Sequence, residues 1–154
     1  MQLTPEGARA AQLGDPEANG LLQRLLGGEE ITTYTTGVCY DTVAFCSFLG
    51  RRFGITADDL VGRSGLDWLA SFSFDSGAQW TSGSIDTGAA VGFRRADGFF
   101  HAAVGVGGSQ VRGVNGLHLS PGWSVPVDLT TVLSDADEEG AFAYDGTKIK
   151  VFVV

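Results

Sequence analysis

The sequence has little cysteine, few basic side chains and no long apolar run. Cys39 and Cys46 are the only cysteines among 154 residues, so a disulfide framework is excluded. If both lie on one helix, seven residues apart, their Cα atoms are ~10 Å from each other, which is too far for a bridge. Two free thiols therefore indicate a reducing compartment.

Basic charge is scarce. Ten Lys and Arg against eighteen Asp and Glu give a net charge of -8, which repels phosphate backbones and anionic lipid. The only basic clusters are the pairs Arg51-Arg52 and Arg94-Arg95, and pairs of this size are typical of solvated helix ends or strand edges. We therefore expect no nucleic-acid partner.

Membrane and export signals are also lacking. No run approaches the ~18 apolar residues of a membrane span, and the first twenty residues have neither a basic nor an apolar signal region. These features predict no membrane span. They favour a location in the cytoplasm of the producing cell, or secretion without a classical signal peptide.

Apolar residues are abundant, at 44% of the chain against 18% charged, which predicts a packed core rather than disorder. The length fits a single domain over residues 1–154. The composition changes after Ser73, where glycine becomes frequent. We predict an α+β fold with a helical part over about 1–72 and a mainly antiparallel sheet over about 73–154.

The helical part has clear start and stop signals. Thr4-Pro5 and Asp15-Pro16 each place an N-cap residue before a proline, which predicts two short helices before residue 29. Cys39, Val43 and Cys46 share one helical face, so a largely buried helix is expected from Cys39 to Gly50 or Gly54. A further helical stretch is predicted from Thr56, with Asp59 three residues on, and it continues in pieces through Gly62 to Phe72.

The second half contains apolar segments of strand length. They are separated by the turn residues Asp97-Gly98, Gly107-Gly108-Ser109 and Asp145-Gly146. The predicted strands are 88–94, 99–106, 110–115, 141–144 and 147–154.

Cys39 is the first candidate for chemistry because it stands at a predicted helix start. Free backbone N–H groups and the helix dipole stabilise a thiolate at such a position. The same N–H groups can hold an oxyanion. Cys46 lies two turns deeper among apolar residues and is predicted to be an inert core thiol. An inert, buried Cys39 is the alternative interpretation.

His101 is the candidate base, at the start of a strand whose next residues are small. If the following loop has three residues, Val106 pairs with Gln110 and Asn115 lies opposite His101, where its amide can orient the imidazole. A two-residue turn would send Asn115 to the other face. His118 and Asp128 are alternative orienting residues.

Metal and cofactor sites are not indicated. The C-x6-C spacing and the two distant histidines match no common zinc site. The acidic stretch Asp135 to Glu139 lacks the ligand spacing of a calcium loop, and no lysine follows Gly107-Gly108 as a phosphate loop requires. We expect no metal and no cofactor. Trp80 is a candidate to line a substrate groove, although tryptophan more often packs in a core.

The segments TTGVCYDTVAF and FFHAAVGVGGSQVRGVNG, in this order, resemble the NlpC-like branch of the papain fold over residues 34–115. The resemblance implies Cys39 as nucleophile, His101 as general base and Asn115 as the residue that orients it. It also implies that Tyr34 and Tyr40, which flank Cys39, contact the substrate. The family's Asp-Cys-Ser-Gly run is here Val38-Cys39-Tyr40-Asp41, so the resemblance does not carry over a peptidoglycan substrate.

The function that follows from this resemblance is cysteine-dependent hydrolysis of a peptide or protein amide. Similar domains serve as bacterial effector toxins, which implies a cognate inhibitor protein as a partner. Glutamine deamidation and transglutaminase-like acyl transfer use the same steps and remain alternatives. A non-catalytic acidic domain that binds a basic protein is the alternative from another class. It predicts an unreactive Cys39.

Overall fold

The computed structural model describes residues 1–154 as an α+β fold. Six α-helices are present: α1 (Pro5–Ala10), α2 (Asp15–Leu26), α3 (Cys39–Leu49), α4 (Ala57–Gly62), α5 (Leu69–Phe72) and α6 (Leu129–Val132). Short 3-10 helices occupy Ile31–Thr33, Gly65–Trp68, Phe74–Ser76 and Leu117–Leu119. None of the helices has the length and apolar character that crossing a membrane requires.

Seven strands form one antiparallel sheet. They are β1 (Ala78–Trp80), β2 (Ala90–Arg95), β3 (Gly98–Gly107), β4 (Gln110–Arg112), β5 (Val127–Asp128), β6 (Phe142–Tyr144) and β7 (Thr147–Val153). Their order is β1-β7-β2-β3-β4-β5, with β6 paired to β7 outside this path. The predicted α+β class and mainly antiparallel sheet are confirmed.

The predicted N-caps are present in the structure at two of the three helices. Thr4 caps α1, because its side chain accepts a hydrogen bond from the Gly7 N–H at 3.0 Å. The cap of α4 is reciprocal, since Thr56 and Asp59 each bind the other's backbone N–H. Asp15 differs from the prediction: it is already helical, and Gly14 is the N-cap of α2.

The sheet separates two apolar clusters. The helical cluster contains 26 buried residues, among them every apolar residue of α3, together with Ala102 and Val104 from β3. The opposite cluster contains 15 buried residues, including Val91, Phe93 and Ala103. Alternate residues of β3 thus serve opposite faces. Helix α3 therefore packs on one face of the sheet, and the 15-residue cluster lies on the other face.

One strand was predicted too long, and two strands were not predicted. β4 ends at Arg112 rather than at residue 115, because the chain turns away at Gly113 and pairs with nothing further. The short strands β1 and β5 were not predicted, because strands of three and two residues are too short to show an alternation of apolar and polar side chains.

Candidate active site

Cys39 is the first residue of α3, as the sequence predicts. Its side chain is 6% exposed and packs in the helical cluster. The backbone N–H groups of Ala102, Tyr40 and Cys39 itself act on the sulfur and favour the thiolate. Burial outweighs them, and with the charge of Asp41 it raises the pKa of the Cys39 thiol above its usual range. The helix start alone therefore does not produce a resting thiolate, contrary to our expectation.

Asp41 fixes the backbone that immediately precedes Cys39. This carboxylate is 3% exposed and accepts three hydrogen bonds, from Val38 N–H at 2.9 Å, Gly65 N–H at 3.0 Å and Trp68 Nε1–H at 2.9 Å. Because Val38 immediately precedes Cys39, these bonds set where the helix begins. Asp41 was not among the residues predicted to be functional. An acidic residue three positions after a helix cap is the signal that could have found it.

Cys39 reaches the edge of the sheet beside His101. The Gly105 N–H donates to Ala89 O at 2.9 Å and thus points toward β2. Since N–H groups alternate sides along a strand, the Ala102 N–H points the other way, toward β4. β4 pairs with β3 only from Val104 onward, so the Ala102 N–H lies on an unpaired stretch of the β3 edge. The thiol of Cys39 lies at this edge, next to the main chain of His101.

His101 is 2% exposed, and its ring lies on the other face of the sheet, tilted against Phe93 at 5.4 Å between ring centroids. Burial lowers the pKa of its imidazole to about 4. The ring is therefore neutral near pH 7. No hydrogen bond joins the imidazole to the thiol, and Nδ1 has no partner at all. The structure thus brings the thiol to the main chain beside His101 but does not join the two side chains.

Ser120 fixes the state of the imidazole. Its Oγ lies 2.9 Å from His101 Nε2 and donates to the Leu119 carbonyl at 2.7 Å. Because the hydroxyl has one proton, we assign the other contact as Nε2–H donating to Oγ. The buried Nδ1 then carries a lone pair, which is the state that a general base requires. Ser120 was missed because nothing in the sequence places a loop serine against a distant strand.

Asn115 lies near His101 without binding it. The registers Val104 to Arg112 and Gly105 to Val111 follow the spacing that puts Asn115 opposite His101. The turn itself has two residues, Gly108 and Ser109, and a bulge between Gly105 and Gly107 restores that spacing. β4 ends before residue 115, so Asn115 does not pair. Instead it lines a cavity of about 180 Å³ that His101 also borders.

The alternative orienting residues serve other purposes. His118 is exposed in the 3-10 helix Leu117–Leu119. Asp128 is the N-cap of α6 and accepts hydrogen bonds from Thr130 N–H and Ser109 Oγ. Neither residue touches the imidazole, whose hydrogen bond goes to Ser120.

The three predicted substrate contacts differ in position. Tyr40 is buried beside Cys39, and burial together with that thiol raises the pKa of its hydroxyl to about 12. Tyr34 stacks on Phe45 at 5.9 Å, and its hydroxyl donates to Glu29 at 2.6 Å. Trp80 belongs to the opposite cluster, where it stacks on Phe142 and donates to Gly83 O. Of the three, only Tyr40 has a hydroxyl whose pKa the Cys39 thiol raises.

Both cysteines are free thiols, and burial raises the pKa of Cys46 strongly. No group of three His, Cys, Asp or Glu side chains is arranged to hold a metal ion. Searches of family models and of curated proteins found no match to this chain.

Proposed function

We propose that the protein is a cysteine-dependent amide hydrolase of the papain-like, NlpC-like kind, with Cys39 as nucleophile and His101 as general base. The observation that carries this proposal is the buried, unpartnered Nδ1 of His101, one residue from the N–H that contacts Cys39. A buried polar atom without a partner costs about 1–3 kcal/mol, so it calls for a functional explanation. A thiol proton is the partner that this lone pair would accept.

The reaction would start from a neutral pair. Nδ1 takes the thiol proton while sulfur bonds to the carbonyl carbon, and the carbonyl oxygen becomes an oxyanion held by N–H groups at the start of α3. The C–N bond then breaks, and the imidazolium returns the proton to the leaving amine. Water then attacks the thioester with the same proton transfers, which releases the carboxylic acid and restores the Cys39 thiol.

Closing the pair requires movement of the imidazole. Its ring lies against Phe93, whereas the thiol lies at the unpaired stretch of the β3 edge. For the pair to form, the His101 side chain would have to leave Phe93 and reach the face of the sheet on which Cys39 packs. Ser120 takes the orienting role that the resemblance gives to Asn115.

Deamidation and acyl transfer share the same thioester and differ only in the amide attacked or in the acceptor. A bacterial toxin with a cognate inhibitor protein remains the biological setting that we propose. A second candidate is a non-catalytic domain that binds a basic protein. The burial of Cys39 and its raised thiol pKa favour that alternative.

Alkylation by iodoacetamide distinguishes these two functions. We expect Cys39 to be labelled about tenfold faster than Cys46 at neutral pH, because the proposal gives only Cys39 a base, His101, that takes its proton. Mass spectrometry of the intact folded protein gives both rates in one sample. In His101→Ala the advantage of Cys39 should disappear, whereas His118→Ala should retain it. Equal, slow labelling of both thiols in the native protein would exclude the hydrolase and leave the binding domain.

A further inference from the structure

Two adjoining cavities share the side chain of Arg95. One, of about 280 Å³, is bordered by Arg94, Lys148, Lys150 and Glu139 as well. The other is the cavity of about 180 Å³ beside His101. We call the two together the Arg95 cleft. It gathers four of the ten basic residues of a chain whose net charge is -8.

Two of these four cations are already paired. Arg94 binds Asp75 at 3.3 Å, and Lys148 binds Asp137 at 2.8 Å. Arg95 and Lys150 form no ion pair. The cleft therefore presents two uncompensated cations, with Glu139 as the one acidic side chain on its wall.

Arg95 also lacks a hydrogen-bond acceptor. Its Nε is buried and has no partner, while the guanidinium carbon stands 4.0 Å above the ring of Phe100. Stacking of this kind holds the planar group in one orientation. An oriented guanidinium with a free donor is suited to a planar oxyanion.

From these contacts we propose that the Arg95 cleft binds the carboxylate of an acidic side chain in a peptide. Arg95 would supply the hydrogen bonds and Lys150 a second positive charge. Phe100 and Tyr144, on the wall of the smaller cavity, would pack against the apolar stem of that side chain. Glu139 would oppose ligands with several negative charges on one group, which favours a carboxylate over a polyphosphate.

The cleft gives the proposed hydrolase a substrate class. His101 borders its smaller cavity, so a peptide anchored at Arg95 would lie near the base. Nδ1 carries a lone pair and offers no donor to the anion, which leaves the carboxylate to Arg95. The inference about substrate, an amide close to an acidic residue, depends on the proposed function. The inference about binding does not.

Binding can be measured with N-acetylated, C-terminally amidated tetraglutamate, using tetraglutamine as the uncharged control. In the ¹⁵N-labelled protein we expect tetraglutamate to move the Nε–H resonance of Arg95, and tetraglutamine to leave it in place. Arg95→Gln should weaken binding by about tenfold, as expected for loss of a charge-assisted pair. Arg9→Gln is the matched control, because it makes the same change in net charge at an exposed arginine paired with Glu6.

Equal affinities in Arg95→Gln and Arg9→Gln would overturn the proposal, as would equal binding of the two peptides. Lys150→Gln provides a second variant if Arg95→Gln fails to fold, and it should weaken binding by a smaller factor. Cys39→Ser separates this inference from the hydrolase. It should bind tetraglutamate as the native protein does, whether or not Cys39 proves reactive.

Discussion

The surroundings of Cys39 and of His101 differ in how well their polar groups are satisfied. At Cys39, the carboxylate of Asp41 accepts three hydrogen bonds and fixes the start of α3. On the other face of the sheet, His101 Nδ1 and Arg95 Nε are both buried without partners. These are the only two such side-chain atoms in the protein, and both residues border one cavity.

This difference indicates which polar groups stabilise the fold and which are available to bind a ligand. Groups that are fully bonded have no remaining capacity to bind a ligand, whereas unbonded buried groups are retained at a cost in stability. The helix start around Cys39 is therefore a rigid support for the proposed nucleophile. The side of the sheet that carries His101 and Arg95 is where a ligand would complete the hydrogen bonding.

The largest effect on stability is expected at Asp41, which holds the start of α3. Asp41→Ala leaves the buried Trp68 indole and two partly buried backbone N–H groups without an acceptor, so it should lower the free energy of unfolding by about 3 kcal/mol. Urea denaturation followed by tryptophan fluorescence measures the loss. Asp59→Ala is the matched control, because it removes a similar carboxylate from the exposed cap of α4. An equal loss of stability in both variants would show that the carboxylate at the start of α3 stabilises the protein no more than the one at the exposed cap of α4.

The next effect concerns pH and belongs to His101. Burial holds the pKa of the folded imidazole at about 4, against about 6.5 in the unfolded chain. The unfolded state therefore binds more protons between these values, and stability is lost as the pH falls from about 6.5 to about 4. The loss from this one group is on the order of 3 kcal/mol.

Comparison of variants isolates the His101 contribution. Urea midpoints of the native protein, His101→Gln and His118→Gln should be measured across this pH range. His101→Gln should flatten the decline, whereas His118→Gln, which changes an exposed histidine, should keep it. Carboxylates such as Asp137, whose pKa the Lys148 ammonium lowers to about 2, lose their contribution mainly below this range and do so in all three proteins. An unchanged slope in His101→Gln would contradict the buried, neutral imidazole.

Local signals in the sequence were sufficient for the starts of α1 and α4. The caps at Thr4 and Thr56 depend on neighbours within four residues, and the structure has both where the pattern predicts. The start of α3 at Cys39 was also predicted, although Asp41 there binds Gly65 and Trp68 as well as Val38. The β3-β4 register was also reached from local turn chemistry, although the turn is shorter than supposed and a bulge compensates.

Contacts between distant segments were beyond the sequence. Ser120 meets His101 across 19 positions, and Gly65 and Trp68 meet Asp41 across 24 and 27. No periodicity encodes such pairs, because each depends on how two loops are folded back onto the sheet. The thiol pKa shows the same limit. The helix start was readable, but the burial that outweighs it depends on packing of the whole helical cluster.

The smallest effect is expected at Ser120, on the side of the sheet that we assign to function. Ser120→Ala removes the acceptor of the His101 Nε2–H and should cost about 1 kcal/mol. It should also change the imidazole tautomer, because nothing else in the structure then favours a proton on Nε2 over one on Nδ1. The ¹⁵N shifts of the two ring nitrogens report this directly. Ser109→Ala, which removes a serine bonded to Asp128 instead, should leave those shifts unchanged. If Ser120→Ala also leaves them unchanged, the Nε2–H assignment is wrong, and with it the lone pair on Nδ1 that the proposed base requires.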